Sequence, residues 1–232
     1  MRAPTRKSVS VSAIAFGSLT LSCSLIAGPA FAAPDDTGVA KTATAVWNRL
    51  EASSDPKAAY EALSTGDRAA FDAYLVPAAS EESMTLQPMD SEARAAVASG
   101  SVKLKYSSSE QALSDLASTQ GCWAGNARYT EKAALGNSLW DTYTEGTWCG
   151  SGSSVTSASF SRSWSTIAAV GWRDGGQIGR GAGVSNKQAR IWSQRKMILG
   201  TGGWDVQTRT PCLRLNGTAS GRTSITLTCS TI

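Results

Sequence analysis

The sequence predicts an α+β fold, a short helical N-terminal segment followed by an all-β antiparallel sandwich or partly open barrel of about seven strands. Three observations carry this expectation. Apolar residues recur at helical spacing between positions 39 and 75. Strict two-residue alternation governs 156–166 and 224–230. Composition also shifts near Gly121: residues 33–121 hold 13 acids and 7 bases, whereas 122–232 hold 5 acids and 12 bases. Seven of the eight tryptophans lie in that second part. The expected organisation is a signal peptide over 1–32, an acidic Ala-rich helical segment over 33–121, and a basic, disulfide-stapled β domain over 122–232.

Arg2, Arg6 and Lys7 precede an apolar run from Val9 to Ala27, and Gly28-Pro29 breaks it. Ala30-Phe31-Ala32 then supplies the small-x-small pattern of a signal peptidase site, with cleavage before Ala33. Export leaves four of the five cysteines, since Cys23 departs with the leader. Cys122, Cys149, Cys212 and Cys229 form an even set, read as two disulfides in an oxidising compartment. Their wide spacing disfavours a zinc site, which wants close CxxC-type pairs.

Val39, Ala43, Val46, Trp47 and Leu50 mark a first helix. Asp55-Pro56 pairs an N-cap with proline at the first helical position, opening a second with Tyr60 and Leu63 on one face. A third follows Ser64 or Thr65 and carries Phe71, Tyr74 and Leu75 up to Pro77. Ser80–Asp90 reads as a polar loop, and Ala93–Ala98 and Gln111–Ala117 as short helical pieces. The opposite net charges of the two parts suggest that the acidic one masks the basic one.

In the second part, 126–134 and 139–149 flank Gly136-Asn137-Ser138 as a hairpin. In 156–166, Ser157, Ser159, Ser161, Ser163 and Ser165 share a wet face, opposite Ala158, Phe160, Arg162 and Trp164. Lys187–Leu199, Trp204–Thr210, Cys212–Asn216 and 224–230 complete the strands. Three disulfide connectivities are open. Each enclosing a hairpin-like segment, Cys122–Cys149 and Cys212–Cys229 are favoured, the second requiring a bulge near Pro211 to bring its cysteines to one face.

Gly121-Cys122-Trp123, then Leu135-Gly136-Asn137-Ser138-Leu139-Trp140, then Thr147-Trp148-Cys149-Gly150-Ser151-Gly152 succeed one another along the chain. With the upstream Leu63–Phe71 segment, this set resembles uncharacterised secreted proteins of high-GC Gram-positive bacteria. The resemblance implies a compartment and a kind of organism, and carries no catalytic residues.

The chain has no histidine. That removes Ser-His-Asp and Cys-His catalysis, imidazole bases and His-ligated metals. Ser193-Gln194-Arg195-Lys196 matches S-x-x-K, but in a strand its serine and lysine face opposite ways. The glycine-rich 175–183 reads as a flexible loop, made a recognition loop by Arg173 and Arg180. Asp141 and Glu145 share one side of a strand about 13 Å apart, too far for a retaining glycosidase pair. No catalytic residue, metal site or cofactor is therefore assigned.

The strand Lys187–Leu199 offers the candidate site. Gln188, Arg190, Trp192, Gln194 and Lys196 share one face, where a ring flanked by cations and amides suits stacking on a sugar or base and hydrogen bonding to its hydroxyls or phosphates. The expected function is a secreted, non-enzymatic binding module for an anionic or glycan cell-envelope polymer, associated with the cell wall and not inserted in the membrane after leader cleavage. The alternatives are a carboxylate-based, glycosidase-like hydrolase and a protein-interaction factor such as an inhibitor or toxin.

Overall fold

A computed structural model describes residues 36–89 and 120–232. The leader over 1–32 with Cys23, its cleavage point, and the pieces at 93–98 and 111–117 lie outside the described residues. Helix α1 runs Asp36–Glu51, α2 Pro56–Glu61 and α3 Thr65–Leu75. The capping residues act as the sequence implies. Asp55 accepts from the Ala58 amide at 3.0 Å and Ser64 from the Asp67 amide at 3.1 Å, each satisfying a donor that helix geometry leaves orphaned.

Nine strands follow among the described residues: β1 Pro77–Met89, β2 Gln120–Ala133, β3 Ser138–Ser151, β4 Ser154–Ile167, β5 Trp172–Ser185, β6 Gln188–Thr201, β7 Trp204–Arg209, β8 Cys212–Gly217 and β9 Thr223–Thr226. The first sheet is the antiparallel meander β1-β2-β3-β4. The second has the order β5-β6-β8-β9, with β7 also pairing β6. Thus β7 and β8 run in tandem along one edge of β6, against its C-terminal and N-terminal parts respectively. The two sheets pack face to face as an open sandwich, with no closed barrel.

Trp140, Trp148, Ile191, Met197, Leu199, Leu213 and Leu215 fill the space between the sheets, each buried. Val46, Trp47, Leu50, Phe71 and Leu75 of the helices belong to the same apolar cluster. The helices therefore join the sandwich through apolar side chains. Gly171 makes the contact close: a Cβ there would lie 2.6 Å from the Trp47 ring. The Trp172 indole donates to the Leu75 carbonyl at 2.9 Å. Among the described residues, the ion pairs of the helices, Arg49–Asp67 and Lys57–Glu61, stay within the helices. The docking of the helices is apolar, while Glu81 of β1 pairs with Lys132 of β2 across the boundary between the acidic and basic parts.

Four local expectations change. Ser80–Asp90, read as a loop, falls largely in β1, where Met84 and Leu86 pack against the core and Ser83 and Thr85 alternate with them. Pairing with β2 supplies what that short, acid-flanked apolar pattern lacks on its own. The glycine-rich 175–183, also read as a loop, lies within β5. Lys187, read as a strand residue, sits with Asn186 in the two-residue β5–β6 turn at φ 63° and 51°. Finally, the serine face of β4 is broken. The register slips between Glu145/Gly146 and leaves Ser161 as an extra residue, which reverses the alternation. Ser163 and Ser165 turn inward, while Arg162 and Trp164 turn outward.

Both favoured disulfides are present, Cys122–Cys149 and Cys212–Cys229. The first joins directly opposite residues of β2 and β3. The second needs no bulge near Pro211. Strand β9 stops at Thr226, so Cys229 leaves the ladder and is free of its alternation. No helix of the described residues is long and apolar enough to cross a membrane.

Candidate functional site

Strand β6 is buried on one face and half-buried on the other. Ala189, Ile191, Ser193, Arg195 and Met197 point inward, and Gln188, Arg190, Trp192, Gln194 and Lys196 outward. The structure thus keeps the predicted strip together on one face. Ser193 and Lys196 diverge, as a strand requires, and Ser193 is spent on a hydroxyl chain with Thr144 and Ser163.

What the glycines of β5 do becomes clear beside Trp192. Gly181 and Gly179 stand opposite Trp192 and Gln194 in the ladder. A Cβ at Gly181 would fall 2.5 Å from the indole Nε1, and one at Gly179 3.0 Å from Cζ3. The indole therefore lies flat across the β5 backbone, and only glycine leaves room for it. One ring face covers the strand, and the C-terminal tail crosses the same outer face, with the Ser230 carbonyl on Arg214 and Thr231 3.5 Å from where a Gly183 Cβ would stand; Trp192 is half-buried. Among the described residues no second ring or guanidinium stacks on it.

The neighbouring strands add cations and amides that sequence reading missed. Arg214 of β8 stands opposite Trp192, and Asn216 opposite Arg190. Arg214 is held by Thr226 Oγ1 at 2.9 Å and the Ser230 carbonyl at 2.8 Å. Burial first, and the positive charge of Arg190 second, push the Arg214 guanidinium below its ordinary pKa. Arg190 has a buried Nε with no hydrogen-bond partner. Neither arginine has an acidic partner among the described residues. Asp141, Glu145, Asp174 and Asp205 are bound instead to Arg128, Arg162, Arg195 and Arg173. In the sequence Arg214 stands out only as a neighbour of Cys212, because strand pairing is not written in alternation. At the end of the strip, Gln188, Asn216, Arg222 and Ser224 line a small cavity of about 80 Å³.

Arg173 and Arg180 do not meet at Trp192. Arg173 stands six residues along, opposite Ile198, and is committed to Asp205 and the Gly200 carbonyl. Arg180 points to the other side of β5, where its guanidinium lies 5.3 Å from the Phe160 ring centroid.

The outer face of the first sheet also carries aromatic and charged groups, but these are used up internally. Tyr143 and Trp164 stack at 4.6 Å and 3°. Arg162 lies over the same indole at 4.4 Å, so both faces of Trp164 are taken. Asp141 and Glu145 do share a face of β3. Asp141 accepts from Thr130 at 2.7 Å, Thr166 at 2.9 Å and Arg128 at 2.9 Å. Burial alone would raise its pKa, yet those donors and the Arg128 charge outweigh it and hold the carboxyl below its ordinary value. Glu145, 3% exposed, accepts from Arg162 at 2.9 Å. Both carboxylates are thus engaged by arginine within the sheet.

Comparison with protein-family models, curated proteins and solved structures gives no match for this chain.

Proposed function

We propose that the protein is a secreted, non-enzymatic binding module whose outer face on β6 and β8 takes an anionic glycan of the cell envelope. The observation that supports this reading is the juxtaposition of the half-buried Trp192 with Arg190 and Arg214, two guanidiniums without an acidic partner among the described residues. A sugar ring stacks on an indole face, and a phosphate or carboxylate substituent compensates the paired positive charge. Gln188, Gln194 and Asn216 supply amides for hydroxyls on either side. Export fits the two disulfides and the leader-like N-terminus, and N-terminal sequencing of protein recovered from culture medium should begin at Ala33.

The binding test uses purified anionic wall polymer and the mature chain. Binding should weaken steeply as salt rises, because the cations attract phosphate or carboxylate groups through screened charge. Replacing Arg190 and Arg214 together by glutamine should remove most of that salt dependence. Polymer binding by this double variant equal to wild type at every salt concentration would overturn the proposal.

A further inference from the structure

A second site opens where β7 hands over to β8. Because these strands share one edge of β6, the row beside β6 is interrupted at Thr210-Pro211. Beneath the interruption lies a cavity of about 410 Å³, within the range of small-molecule sites. Tyr129 and Glu131 of β2 form one wall, and Thr208, Arg209, Thr210 and Pro211 the other.

Two opposite charges share this cavity without forming an ion pair. Glu131 is 7% exposed and accepts one hydrogen bond, from the Tyr129 hydroxyl at 2.7 Å. Arg209 opposite Met197 aims between the sheets, and its guanidinium has neither a salt bridge nor a hydrogen bond among the described residues. Burial pushes the Glu131 carboxyl up, outweighing the Tyr129 hydrogen bond and the Arg209 charge that favour ionisation. The Tyr129 phenol is pushed up to about 12, by burial and by Glu131, and so stays a donor. A buried carboxylate that is under-compensated gains from a cation brought to it, and a free guanidinium gains from a carboxylate.

We propose that this cavity binds a small zwitterion of the amino-acid or dipeptide class, its ammonium on Glu131 and its carboxylate on Arg209. The site is distinct from the Trp192 face and stands or falls without it. Arg209 is exposed and Glu131 buried.

The probe is glycylglycine, titrated calorimetrically into the full mature chain. N-acetylglycylglycine and glycylglycinamide, which lack one charge each, are run beside it. Glycylglycine should bind, and each blocked form should bind about tenfold more weakly or worse. Arg209→Gln, at an exposed position that the fold tolerates, should remove the preference for a free carboxylate. Glu131→Gln should remove the preference for a free ammonium. If Glu131→Gln fails to fold, the Arg209→Gln result and the two blocked probes decide alone. The proposal is overturned by no binding of glycylglycine, by equal affinity for the three probes, or by binding that Arg209→Gln leaves unchanged.

Discussion

At Trp192 packing and the proposed recognition meet, since the indole covers the β5 backbone and, in the proposed function, stacks on a sugar. These separate experimentally. Trp192→Ala should weaken polymer binding by roughly 1–3 kcal/mol, the range for losing a stacked ring. The loss of stability should be smaller than the roughly 3–5 kcal/mol of a core tryptophan, because Trp192 is half-buried. Equilibrium urea unfolding beside a binding isotherm measures both. A stability loss in the core range, with binding tracking only the folded fraction, would show the ring to be core. Gly181→Val should act from the other side, displacing the indole, since even a Cβ would lie 2.5 Å from its Nε1. One carboxylate on each sheet sets the acid limit. Asp141 and Asp174 both have pKa values held below their ordinary ones, by hydrogen bonds and arginine charge that outweigh burial. A depressed carboxylate stabilises the fold above its unfolded pKa, and that stability is lost as pH falls through the folded one. Glu131, raised by burial, runs the other way: its cost appears as pH rises from the ordinary glutamate value through the raised one. Asp141→Asn should therefore flatten the acid limb of stability against pH, and Glu131→Gln the limb just above it. Urea midpoints at a series of pH values check both signs.

Among the elements, the two bridges do different work. Cys122–Cys149 ties strands that already pair over their full length, whereas Cys212–Cys229 anchors a tail whose ladder ends at Thr226. Each closes a loop and should contribute on the order of 2–4 kcal/mol by the chain-entropy argument. Removing the second with Cys212→Ser and Cys229→Ser should in addition loosen Ser230, whose carbonyl accepts from Arg214 at 2.8 Å. Salt-dependent polymer binding should fall with it, while removing the first bridge should cost stability and leave affinity per folded molecule unchanged. What the sequence discloses at this scale is set by period and punctuation. The helices are legible because Asp55-Pro56 and Ser64 cap apolar stripes, and β6 because its alternation is unbroken from Gln188 to Met197. β5 is not, because its outward positions are glycines whose use depends on Trp192 of another strand. β4 is legible only in part, because a single extra residue at Ser161 reverses every side chain beyond it. Half of the candidate face is hidden for a related reason: Arg214 reaches Trp192 only through pairing between β6 and β8, which no local pattern encodes.

Across the whole molecule, the question is why a two-sheet sandwich needs three helices on the edge of the core. The answer lies in Trp47 and Trp172. Trp47 packs into Gly171, at the turn that carries the chain from the first sheet to the second, and Trp172 opens β5 with its indole bonded to the Leu75 carbonyl of α3. The helices thus close over the crossover between sheets, where the sandwich would otherwise expose a buried tryptophan and an unpaired turn. Tyr60 extends the same seal, with its ring 5.3 Å from Trp204 of β7 and 5.4 Å from Phe71. Trp47→Ala should then cost roughly 3–5 kcal/mol, as for a core tryptophan. Its effect should be global, because the cluster that holds Trp47 also holds Trp140, Trp148 and Leu199. Native-state hydrogen exchange distinguishes this from a peripheral cap. If the helices share one cooperative unit with the sandwich, Trp47→Ala should lower the protection of β3 and β6 amides by the same free energy as it lowers that of α1. If α1 opens alone, its own amides should lose protection while those of β3 and β6 keep theirs.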